Sequence, residues 1–256
     1  MYLHPLIASV PAAERAEFIR FVKLRSYRRN AVVLGVDEWT DCIYCVANGL
    51  VRVVMQRNTD SEGVTTDFIG QDRFFLSPNL QRDRYQPGAT LIAALPSSVY
   101  LVPVPKLRTL CAKYPEVAIG LLELAVKRIA TLRGQLRRIS AAPSERLWRI
   151  LHELTQLAPV GAGGFDKRIT QSVIASYSGL SREQVNKTMR ELEDRGLVSR
   201  DAHSIHVPSH FASTAFEEPL SIDEVSTSVD AQLGDSALFT ESFDDLGESA
   251  TWAQDK

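Results

Sequence analysis

The sequence predicts an α+β fold: an N-terminal β-roll of the double-stranded β-helix, or jelly-roll, type, then one long helix, then a C-terminal unit of short helices and strands. Three observations predict it. Residues 27–104 carry short runs rich in Val, Ile, Leu and aromatics, set off by turn signals at Asn48-Gly49, Glu62-Gly63 and Pro87-Gly88. After Pro115 the apolar period lengthens to alternating steps of four and three. Beyond Thr170 two short amphipathic segments flank a glycine and lead into two strand-like runs. These changes divide the chain into a roll at 1–115, a helix at 116–142, a third unit at 143–212 and a tail at 213–256.

In the roll, Leu50 to Met55 and Ala89 to Leu95 are the clearest strands. In the helix, Ala118, Leu122, Ala125, Ile129, Leu132, Leu136 and Ile139 form the narrow seam of a coiled coil. Such a seam implies a second copy of the chain, so a homodimer is expected. The alternative is a helix laid on its own β domain, which calls for a wider apolar stripe. Lys127, Arg128, Arg133, Arg137 and Arg138 on the other faces suit solvent. Pro143 then opens another helix with apolar positions Leu147, Ile150, Leu151, Leu154 and Leu157, and Pro159 to Gly164 reads as a loop.

The C-terminal unit carries the chemistry. Thr170 is placed to cap a helix with inward residues Val173, Ile174 and Tyr177, and Gly179 supplies the turn. Ser181 caps the next helix, and Gln184 three residues later completes a capping box. Val185, Met189 and Leu192 give that second helix a buried stripe, while Arg182, Glu183, Asn186, Lys187 and Arg190 face outward near its start. Small Ala175 and apolar Val185 stand where two helices cross closely, although Thr188 occupies a position where an apolar residue is more usual. This is a helix-turn-helix whose second helix suits the major groove of double-stranded DNA. Arg182 can bond guanine O6 and N7 together, Glu183 can accept from cytosine N4, and Lys187 can reach a base or a phosphate. The bland alternative is a solvated face with ion pairs such as Glu183 with Lys187. Leu197 to Arg200 and Ser204 to Val207 form a hairpin wing around Asp201-Ala202-His203, placing Arg200 and His203 to touch phosphates. For His203, merely closing the hairpin is the alternative.

From about residue 15 to 210 the chain resembles the Crp/Fnr family. The most specific likeness is Leu180-Ser181-Arg182-Glu183-Gln184-Val185, followed by Glu191 to Val198. Gly35 with Asp37, Asn48-Gly49 and Phe74-Phe75 continue it towards the N-terminus. The resemblance implies a dimer whose Arg182 and Glu183 read the half-sites of a palindromic operator. In the family the position of Lys187 is often arginine, and lysine lacks its planar fork. Cyclic-nucleotide-binding relatives carry a Gly-Glu pair after the Phe-Phe segment and an Arg-Ser or Arg-Thr pair at the next strand. Here those places hold Leu76-Ser77 and Gly88-Ala89. The anchors for ribose and cyclic phosphate are therefore missing, and cyclic AMP is not expected as the effector. Phe74, Phe75, Ser77, Arg82, Arg84 and Thr90 delimit the candidate effector pocket; the two arginines read equally as part of a solvated loop.

Composition bounds the rest. Cys42, Cys45 and Cys111 are odd in number, and with period-two alternation the first two point to opposite strand faces. Neither a disulfide framework nor an iron–sulfur cluster is expected, and no ligand spacing marks a metal site. Haem stays open as a cofactor. The longest apolar stretch, Val117 to Val126, is broken by Glu123, and no basic segment followed by an apolar one opens the chain, so a cytoplasmic protein without a membrane partner is expected. No phosphate loop, nucleophile elbow or zinc-protease motif suggests an enzyme. Residues 213–256 hold eleven of the 31 acidic residues and, of the basic ones, only Lys256. This acidic segment reads as disordered and is expected to compete with phosphates for Arg182, Lys187 and Arg200; a solubilising tail is the alternative, and Leu238-Phe239 and Phe243 among its acids make RNA polymerase a candidate partner. The second function class is a ligand-binding or scaffold protein whose winged helix contacts protein.

Overall fold

A computed structural model of the chain describes residues 4–56, 63–76, 82–138, 141–161 and 163–208. After a one-turn 3₁₀ helix at Pro5–Ile7 come α1 (Ala12–Ile19) and eight strands: β1 (Lys23–Tyr27), β2 (Val32–Leu34), β3 (Cys42–Asn48), β4 (Val51–Met55), β5 (Val64–Ile69), β6 (Phe74–Phe75), β7 (Thr90–Ala93) and β8 (Ser97–Pro103). They form two antiparallel sheets, ordered β1-β8-β3-β6 and β2-β7-β4-β5. Alternation sends one face of each strand inward, so Tyr44, Val46, Val99 and Leu101 of one sheet meet Val33, Val51, Val53 and Leu91 of the other in a single apolar cluster. Gly49 carries the chain from one sheet to the other. Its φ is +90°, and a Cβ there would lie 2.3 Å from the Pro96 carbonyl oxygen, so only glycine fits.

The opposite face of β3 and β8 is covered by elements that the strand pattern did not announce. Phe18 of α1, Leu107 and Leu110 of α2 (Val104–Lys113), and Val117 at the start of α3 (Pro115–Arg138) pack there on Ile43 and Val102. Cys42 belongs to the inter-sheet side and Cys45 is buried within β3. Both thiols are pushed up to about 12, first by burial.

The α3 helix presents two different sides. Val117, Leu121 and Leu124 pack inward, whereas Ile119, Leu122, Val126, Ile129 and Leu132 are exposed, Leu122 to 63%. Packing on its own domain thus coexists with an open apolar stripe that includes Leu122, Ile129 and Leu132 of the expected seam and is widened by Ile119 and Val126. Leu136 and Ile139 lie outside the residues whose side chains are described. One expectation is corrected: Arg128 does not face solvent but pairs with Asp67 of β5.

The helix α4 (Pro143–Leu157) buries Leu147, Trp148, Ile150, Leu151, Leu154 and Leu157. The stretch expected to be a loop is instead a hairpin of β9 (Pro159–Val160) and β10 (Gly164–Asp166). Strands of two and three residues carry too little period to be read from sequence. After α5 (Gln171–Ser178) and α6 (Arg182–Asp194), β11 (Ser199–Arg200) and β12 (Ser204–His206) complete a sheet ordered β11-β12-β10-β9. The expected acidic tail at 213–256 lies outside the described residues.

Candidate nucleic-acid interface

Local chemistry builds the helix-turn-helix. The Thr170 side chain accepts from the Val173 amide at 3.4 Å and opens α5; Gly179, at φ +69°, closes it by donating its amide to the Ala175 carbonyl. The Ser181 hydroxyl accepts from the Gln184 amide at 3.1 Å, and the Gln184 side chain accepts from the Ser181 amide at 2.9 Å. This reciprocal box satisfies two backbone donors at the start of α6. Val185, Met189 and Leu192 are fully buried and Ala175 nearly so, which locks the two helices together. Thr188 is buried with them.

The outward face of α6 follows. Arg182, Glu183, Lys187 and Arg190 are exposed and Asn186 is half-buried. Lys187 stands 3.9 Å from Glu191, the pair at i, i+4 on the exposed face. Arg200 is engaged too: its guanidinium pairs with Glu193, tying the wing to the recognition helix. An i, i+4 spacing announces such a pair within a helix, but the Glu193–Arg200 contact needs the wing to fold back.

The wing turn is organised by Asp201. Its carboxylate accepts from the amides of His203 and Ser204, both at 2.6 Å, and from His206 Nε2 at 2.7 Å. These donors hold its pKa below the usual carboxylate range, the His206 bond first. Beside it lies an open cavity of about 500 Å³ lined by Arg29, Val160, Asp166, Lys167, Arg168, Ala202 and His203. Arg168 grips Asp166 with two nitrogens, and the Arg29 guanidinium donates to the Arg168 carbonyl at 3.2 Å. Spacing in the sequence does not announce this basic cluster, because its members come from the β1–β2 turn, the turn between β10 and α5, and the wing.

The candidate effector residues are not gathered on one side. Phe75 packs against the inter-sheet cluster, whereas Phe74 packs with the N-terminal elements and meets the His4 ring at 5.0 Å. Thr90 is half-buried on β7, Arg82 and Arg84 are exposed, and Ser77 lies outside the described residues. Among the described residues, no three His, Cys, Asp or Glu gather to hold a metal ion, and no helix is long and apolar enough to cross a membrane.

A β-roll joined through a long helix to a winged helix-turn-helix defines the class of DNA-binding regulators with a sensor domain. Family models agree: a Crp-like helix-turn-helix domain matches residues 145–210 and a cyclic nucleotide-binding domain matches residues 24–114, together more than half of the chain. The chain is 24% identical over 196 residues to the cAMP-activated global transcriptional regulator CRP of Pasteurella multocida, covering 74% of this chain and 92% of that one. Its fold is similar to that of FixK2 from Bradyrhizobium japonicum, at a TM-score of 0.68 and 20% identity, over 78% of this chain and 99% of that one. It is also similar to the c-di-GMP responsive global regulator CLP of Xanthomonas campestris, at 0.60 and 18%, over 77% and 99%. The chain belongs to the Crp/Fnr family and is a DNA-binding transcription regulator.

Proposed function

We propose that the chain works in the cytoplasm as a homodimer, pairing along α3 and placing two copies of α6 in successive major grooves of a palindromic operator. The observation that carries this reading is the pair of open faces: a charged face on a doubly capped α6, and an apolar stripe on α3. Arg182 and Glu183 read bases, while Thr170, Ser181, Asn186, Lys187 and Arg190 contact bases or backbone. Lys167, Arg168, His203 and Arg29, which line the cavity beside the wing, hold phosphates. Arg200 contributes mainly by fixing the wing through Glu193.

The test is binding-site selection with the native chain and with Arg182→Ala. The variant loses about 1–3 kcal/mol of specific binding and its preference at one guanine. An unchanged motif at unchanged affinity would remove Arg182 from the base readers.

The effector differs from cyclic AMP. Leu76-Ser77 and Gly88-Ala89 supply neither the carboxylate for a ribose nor the guanidinium for a cyclic phosphate. Calorimetric titration with cyclic AMP therefore gives no micromolar binding; such binding coupled to tighter operator association would refute this reading. RNA polymerase is the expected protein partner of the DNA-bound dimer, tested by transcription from a template carrying the selected site.

A further inference from the structure

The strand β5 is the edge of its sheet, so its outward amides have no strand partner. One of them is nevertheless satisfied: the Thr65 amide donates to the Ser176 hydroxyl of α5 at 2.8 Å, and the Ser176 hydroxyl lies 3.1 Å from the Thr65 side-chain oxygen. Thr65 is 2% exposed, so without Ser176 its amide would be stranded from both protein and water. One residue further along α5, the Tyr177 ring stands edge-on to the buried Phe68 ring, with centroids 4.6 Å apart. The Tyr177 hydroxyl donates to Glu153 of α4 at 3.0 Å. Tyr177 therefore serves the junction with the roll rather than the interior of the helix-turn-helix.

Two further contacts close the joint. Asp67 of β5 pairs with Arg128 of α3, within one residue of the open apolar stripe at Ile129. Burial pushes the Asp67 carboxyl up to about 6 against the opposing pull of Arg128, with Glu153 adding to the rise. At the end of β5, Gly70 lies so close to α4 that a Cβ would stand 2.9 Å from the Leu157 carbonyl oxygen.

We propose that Thr65, Phe68 and Gly70, with Ser176 and Tyr177 facing them and the Asp67–Arg128 pair behind, form a clasp that positions the recognition helix. They are positioning residues for operator binding. The covalent link from α3 to the DNA-binding unit runs only through the residues before Pro143, and a single link leaves rotation open. The clasp adds a second attachment from α3 through β5 to α5, and the buried α5–α6 crossing hands that orientation to Arg182 and its neighbours. In a dimer, this fixes the separation of two recognition helices, which must match about one DNA turn. The inference rests on the dimer reading above.

Ser176→Glu drives a charged wedge into the joint from the α5 side, and Gly70→Ala opens it from the roll side. Each full-length variant is measured against the palindromic duplex that the native chain selects and against a duplex carrying one half-site. Light scattering records mass, and hydrogen exchange records the Thr65 amide. Both variants are expected to remain dimeric, to lose Thr65 protection, and to bind the full site at least tenfold more weakly with half-site affinity unchanged. Full-site affinity retained after Thr65 protection is lost would overturn the proposal. So would equal losses on both duplexes in both variants, or a gain on the full site, which would make the joint a brake. Failure of the dimer reading is distinguishable, because the native chain would then be monomeric and would show no preference for the full site.

Discussion

The two open faces of the molecule differ in kind. Along α6 the exposed groups include Arg182, Glu183, Lys187 and Arg190; along α3 the exposed large apolar ones are Ile119, Leu122, Val126, Ile129 and Leu132. A charged face binds a polyanion by releasing counterions, so its affinity falls with salt. An apolar face binds by leaving water, and salt does not weaken it in that way. One chain thus separates its two associations by physical mechanism, and a change on one face has a signature that the other cannot imitate.

The largest expected effect comes from breaking the apolar face. Leu132→Asp places a charge in the stripe, where pairing would bury it unpaired, a cost of several kcal/mol. Light scattering is expected to show a monomer at micromolar concentration, and operator binding is expected to disappear with it. A dimer of native mass would move the interface elsewhere.

A middle effect probes the joint at which the two faces meet. The pKa of Asp67 is raised in the fold, so by linkage its contribution to stability is fully present below its ordinary unfolded value and is lost as pH rises through about 6. The native chain therefore gains stability relative to Asp67→Asn as pH falls from 7.5 to 4.5, by about 1–3 kcal/mol. Denaturant melts of both proteins at the two pH values measure the gain. A difference that stays flat with pH would show that the Asp67 carboxyl is not raised.

The smallest effect sharpens the charged face. Lys187 is exposed, with Glu191 3.9 Å away, so Lys187→Ala is expected to weaken all duplexes alike and to reduce the slope of log affinity against log salt by about one. The dimer should be untouched. A changed base preference with an unchanged slope would make Lys187 a base reader.

How much could be read from the chain varies with the range of the interaction involved. The caps at Thr170 and Ser181, the turn at Gly179 and the stripe Val185-Met189-Leu192 were all legible, because each depends on residues within a few positions of one another. The exposed apolar positions Leu122, Ile129 and Leu132 of α3 were legible for the same reason. The short β9–β10 hairpin, α1 and α2 were not, since short elements take their shape from what they pack against.

By itself, then, the sequence determined the order of the parts, the capped helix-turn-helix, and the charged and apolar faces, all written in local spacing and charge. Only the tertiary structure decided which charges stay open. It withdrew Arg128 from solvent to Asp67 and turned Arg200 towards Glu193, and it gathered Arg29, Arg168 and His203 beside the wing. It also set Ser176 and Tyr177 against β5, more than a hundred residues away in the chain. The reason is physical: periodicity tells a side chain which face of its own element it occupies, but ion pairs and edge-strand amides are satisfied by whichever neighbour the packing brings within 3 to 4 Å, and that neighbour has no fixed spacing in sequence.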